Sequence, residues 1–226
     1  MEQVKWSTVD DSSGARSEAR PGADAHAVFG QVMGLVAVSI GFTAFGAYTG
    51  RDLSGGWAIA AFVVAFAALI GLHAAAERSQ SLAVTLLFGV GLLLGLALGP
   101  GLAAYTAADP AVVWQAAGAT ALFTAGVGAY GWATQRDLSG VARAGSWALL
   151  ALIVFALVAV FVTIPGANVV FAVAGLVIFA GLTAWDFQRL RVAGEDEAVP
   201  IAASIFLDVL NVFQFLLVLL GGGDDR

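Results

Sequence analysis

Cysteine is absent, so neither a disulfide nor a thiolate metal site can belong to this protein. Histidine is almost absent, and His26 and His73 are too few to build a histidine metal cluster. Lysine occurs once, at Lys5, and no stretch gathers positive charge, which excludes a nucleic-acid-binding surface. No nucleophile with an attendant base and no zinc motif is present, which speaks against a hydrolytic enzyme. Charge of either sign is scarce, at 12% of 226 residues, where soluble chains carry about a quarter. What the chain has is hydrocarbon: 60% of its residues are hydrophobic, in long runs. It reads as an all-α polytopic membrane protein.

Residues 1–25 are polar, mixed in charge and without a signal-peptide core, and are expected to form a disordered cytoplasmic tail. Residues 26–226 then hold seven apolar segments of about the 20 residues that cross hydrocarbon. They run over Ala27–Tyr48, Trp57–Ala75, Leu82–Tyr105, Ala111–Thr134, Ser146–Ile164, Asn168–Leu190 and Ile201–Leu220. A cytoplasmic N-terminus puts Lys5, Arg16, Arg20, Arg78, Arg136, Arg143, Arg189 and Arg191 inside and only Arg51 and Arg226 outside, as the positive-inside rule asks. FTA at Phe42 recurs at Phe123, GAY at Gly46 recurs at Gly128, and RDLSG at Arg51 recurs at Arg136. Helix one therefore resembles helix four, and two three-helix repeats of opposite topology are expected around a central seventh helix. Gly30 with Gly34, Gly46 with Gly50, and Gly91, Gly95 and Gly99 have the four-residue spacing of close helix packing. The Asp and Ser of RDLSG suit helix capping.

The last two segments each carry an acid where hydrocarbon is expected: Asp186 in LVIFAGLTAWDFQRLR and Asp208 in PIAASIFLDVLNVFQFLLVLLG. A charge at mid-bilayer costs at least about 2.5 to 3.5 kcal/mol, so such acids persist where they face a bundle interior and act. The midpoint of 186 and 208 is Glu197, in the turn from Gly194 to Pro200. An antiparallel hairpin centred there brings both acids to one height, at most about 16 Å from the turn. Ser204, Asp208 and Asn211 share one face of the last helix, which makes a polar stripe. Two carboxylates close together in low dielectric share a proton and titrate as one unit, which makes the pair a pH switch.

GLTAWDFQRLR, IAASIFLDVLNVFQFLLVLLG and the central YGWATQRDLSG together resemble the Bax inhibitor-1 (transmembrane Bax inhibitor motif) family, across all seven spans. The resemblance implies a seven-helix protein whose last helix is wrapped by the first six. It further implies that Asp186 and Asp208 form the pH-sensing element of a calcium-permeable leak. In prokaryotic relatives an arginine near the end of helix two latches the aspartates, and Arg78 is the only candidate here; its place at the end of a span favours a positive-inside anchor over a latch. Calcium takes six to eight oxygens, more than Asp186, Asp208, Asn211 and Ser204 supply, so coordination should be weak and transient. Calcium is thus expected as permeant rather than as a bound cofactor. Protons, the lipid bilayer and an unidentified membrane protein are the other expected partners. Two rival readings are a proton-coupled carrier and an interaction protein that modulates a membrane protease or stress-survival pathway.

Overall fold

The computed structural model describes residues 21–162 and 165–222. Seven α-helices account for most of them: α1 (Pro21–Gly50), α2 (Gly55–Ala76), α3 (Gln80–Ala108), α4 (Pro110–Ala133), α5 (Ser139–Phe161), α6 (Ala167–Leu190) and α7 (Ala198–Leu220). One turn of 3-10 helix, Glu195–Glu197, joins the last two, and the described residues include no strand. All seven helices are long and apolar enough to cross a membrane. In hydrocarbon a helix is the one open structure that satisfies its own backbone, so uncharged apolar runs settle into this form. The expected tail lies outside the described residues up to position 20, and residues 21–25 already belong to α1.

Short polar residues stop and start the rods. Asp109 accepts from Ala111 N at 2.9 Å with Pro110 at the first helical position of α4, a combination that satisfies orphan donors at a helix start. In the second RDLSG copy Asp137 accepts from Ser139 N at 2.8 Å and from Ser139 Oγ at 2.9 Å. That start places α5 at Ser139, seven residues before the expected Ser146. In the first copy Asp52 pairs instead with Arg51, and Ser54 stands before α2 without a side-chain capping bond. The Ser139 bonds hold the Asp137 carboxyl below its ordinary range, so its stabilisation is present above the unfolded value and lost as pH falls through the folded one. Asp137→Ala should therefore lower the melting temperature at neutral pH, with the deficit closing as the solution is acidified.

Two triplets are built to one scheme. α3 packs on both α1 and α2, and α6 packs on both α4 and α5. The repeated FTA sits at matching places: Ser39 and Thr43 of α1, and Thr120 and Thr124 of α4, are four buried hydroxyl residues with a common offset of 81. α7 packs on α1, α2, α3, α4 and α6, and every residue from Ala198 to Leu219 is buried or half-buried. These five helices supply most of its surroundings, and the last helix has the central position expected of it. α5 packs chiefly on α6, and its Leu152 joins the apolar cluster that includes Phe179 of α6 with Val212 and Phe215 of α7.

Close packing follows some glycines and not others. A methyl on Gly95 would land on the Thr43 carbonyl, one on Gly91 would lie 2.8 Å from Ser39 O, and one on Gly50 would lie 2.7 Å from Leu96 O. Gly46, Gly50, Gly91, Gly95 and Gly99 therefore form the α1–α3 seam. Gly30 and Gly34 do not take part: both are exposed, with open space where a Cβ would go. Spacing alone does not choose the face that meets a neighbour. A second contact, absent from the sequence reading, joins α4 to α6, where Gly131 lies directly against the carbonyl of Ala184.

Candidate functional site

α6 and α7 form an antiparallel pair, and the two acids lie between them, with Asp186 1% and Asp208 5% exposed. Ser204 Oγ donates to Asp186 Oδ2 at 2.5 Å, and Thr183 Oγ1 donates to Asp208 Oδ2 at 3.0 Å. The midpoints of these two pairs fall near residue 195, two residues before the centre expected from the acids themselves. Each carboxyl therefore faces a hydroxyl across the interface, and the two acids stand diagonally, one helical turn apart. They remain close enough to act on each other directly. Asp186 Oδ1 is buried and has no hydrogen-bond donor among the described residues.

Why these residues meet is legible in the local sequence. Thr183 and Asp186 are three apart on α6, and Ser204 and Asp208 are four apart on α7, so each helix presents one polar edge. Asp186 lies four residues before the end of α6, about 6 Å along its axis, and Asp208 ten residues into α7, about 15 Å. The pair thus sits in the half of the bundle nearer the α6–α7 turn.

The other expected participants stand elsewhere. Asn211 turns its amide back to donate to Leu207 O at 2.8 Å, one turn earlier on its own helix. Arg78 is exposed in the turn between α2 and α3 and makes no ion pair with the described residues. Arg189 is the basic residue nearest the pair in the chain; it binds Glu197 at 3.3 Å and lies 5.8 Å from the Trp185 ring centre. No group of three or more metal-ligating side chains occurs among the described residues.

Thr183 was not singled out from the sequence, although its three-residue spacing from Asp186 was a usable signal. Thr183→Val keeps the shape and removes the donor to Asp208. A hydrogen bond in this setting is worth about 1 kcal/mol. The variant should lower the unfolding free energy by that order in a reversible denaturation assay, and Ser204→Ala should do the same.

Comparison with known proteins identifies the family. The family model described as inhibitor of apoptosis-promoting Bax1 matches residues 25–225. The chain belongs to the Bax inhibitor-1 family. Its relatives include the inner membrane protein YbhL of Escherichia coli, 28% identical over 223 residues, covering 89% of this chain and 94% of that one. The uncharacterized protein YrjE of Lactococcus lactis is 29% identical over 168 residues, covering 71% and 70%. An uncharacterized membrane protein of Vibrio cholerae is 32% identical over 131 residues, covering 57% and 59%. A multi-pass Bax inhibitor-1 protein of the membrane is thus what the helices and the relatives jointly describe.

Proposed function

We propose that this protein is a pH-sensitive, calcium-permeable leak pathway of the cell membrane, gated by Asp186 and Asp208, with its N-terminus in the cytoplasm. The observation that carries the reading is the buried Asp186 Oδ1, which lacks a donor beside a second buried carboxyl. An oxygen so placed invites a proton or a cation, and two such acids in a low-dielectric interior hold a proton jointly. Protonated, the pair bonds internally and keeps the bundle closed. Ionised, it repels, and its oxygens together with Thr183 Oγ1 and Ser204 Oγ offer part of a calcium shell. Calcium requires six to eight oxygens, so water completes the shell and the ion leaves readily, as conduction requires.

Orientation follows from charge. Arg78, Arg136, Arg143, Arg189 and Arg191 lie toward the end that carries the α6–α7 turn, against Arg51 at the other end among the described residues. The positive-inside rule makes the arginine-rich end cytoplasmic. Purified protein in dye-loaded liposomes should admit calcium at a rate that changes with pH, because the coupled carboxyls take up and release a proton. Entry no faster than into empty liposomes at every pH would overturn the proposal.

A further inference from the structure

The end of α6 is tied down in an unusual manner. Helices often close on a left-handed glycine, but the residues after α6 adopt no such conformation, and Arg191 at its end is right-handed. Side chains from α6 and just beyond it reach across to the α4–α5 connection instead. Gln188 Nε2 donates to Arg136 O at 2.7 Å while Gln188 Oε1 accepts from Leu138 N at 3.0 Å, so one amide grips the backbone on both sides of Asp137. Arg191 Nη1 donates to Trp132 O at 2.9 Å and Thr134 O at 3.0 Å, filling carbonyls at the end of α4. Trp132 in turn meets Phe29 of α1 edge-on, with ring centres 5.1 Å apart.

These ties begin two residues after Asp186. The last turn of α6 closes on weak backbone bonds, Arg191 N to Phe187 O at 3.3 Å and Ala193 N to Leu190 O at 3.4 Å, so the side-chain ties to the α4–α5 connection are what anchor it, and their loss would loosen the turn from which Asp186 faces Ser204. We infer that Gln188 and Arg191 are positioning residues for the carboxylate pair, fixing the register in which Asp186 meets Ser204 and Thr183 meets Asp208. The inference deepens the proposed gate and supplies it with a handle, the 134–138 loop. Charged groups acting on the pair are each other and Arg189. α3 and α4 carry no charged residue, α1 has only Asp24 and His26 near its start, α2 only His73 near its end and α5 only Arg143 in its first turns, while the turn before α7 carries Glu195, Asp196 and Glu197.

The test uses the full-length protein and two readouts that need no calcium flux. Trypsin cleavage after Arg136 reports the grip on the loop. Infrared titration of the protonated-carboxyl band, assigned by its loss in Asp186→Asn, reports the pair. Gln188→Ala and Arg191→Ala should each speed cleavage several-fold and move the band's midpoint by on the order of half a pH unit or more. Arg191→Lys, which keeps one donor, should restore most of the midpoint, and Arg143→Ala, an exposed change on α5, should alter neither readout. Faster cleavage with an unmoved midpoint would overturn the inference, leaving a loop tie alone; an unmoved midpoint with unchanged cleavage would overturn it too. Should both alanine variants fail to fold, Gln188→Met, which removes both bonds while keeping the bulk and adding no charge, carries the same two readouts. An absent calcium flux in the unmodified protein would remove the proposed gate and leave both measurements standing.

Discussion

Gly131→Ala should cost about 3 kcal/mol or more of stability, although alanine is the better helix former. The added methyl would fall on the carbonyl of Ala184, on backbone that cannot swing aside. Overpacking against side chains costs about 1 to 3 kcal/mol, and a rigid neighbour places this variant at or above that range. Gly118→Ala, on the same helix with open space around it, should instead gain up to about 1 kcal/mol from helix propensity. Reversible unfolding in mixed micelles measures both. Equal effects from the two variants would sink the claim that a close α4–α6 approach holds the bundle together. Because Ala184 is two residues before Asp186, Gly131→Ala should also disturb the carboxylate pair.

Asp208→Asn should abolish the pH dependence of calcium entry while leaving the protein folded. The amide is close to isosteric, and its oxygen can still accept from Thr183 Oγ1, the bond that holds Asp208 in place. It cannot take or release the shared proton, and with no second charge at position 208 the ionisation of Asp186 produces no repulsion to open the bundle. Entry that varies several-fold across the titration range in the unmodified protein should vary less than about twofold in the variant. Retained variation would place the proton sensor outside the pair. Loss of all entry at every pH would show that the charge of Asp208 is needed for passage, a separate role that Asp208→Glu would test.

Much of the fold was legible because lipid makes sequence explicit. Seven apolar runs became seven helices, with the ends of α5 and α1 misjudged where polar residues continue a helix past the hydrocarbon. The two acids and Ser204 were legible for the opposite reason, since a polar group in an apolar run stands out. Their register was not, because a midpoint drawn between the acids assumes that they oppose each other, whereas each opposes a hydroxyl. Asn211 shared the stripe by spacing, yet its amide found a nearer acceptor on its own helix. Gln188 and Arg191 were beyond sequence reasoning of this kind, since their partners are backbone atoms 50 to 59 residues away. Backbone acceptors carry no signature in the residue letters.

The central position of α7 has a meaning for how the molecule is made. The helix that the others surround leaves the ribosome after all of them. Until it arrives, Thr183 and Asp186 stand without Asp208 and Ser204, their partners across the interface. Translation thus delivers the plug last, and a chain stalled before α7 would present a polar furrow to lipid, a form that membrane quality control could recognise.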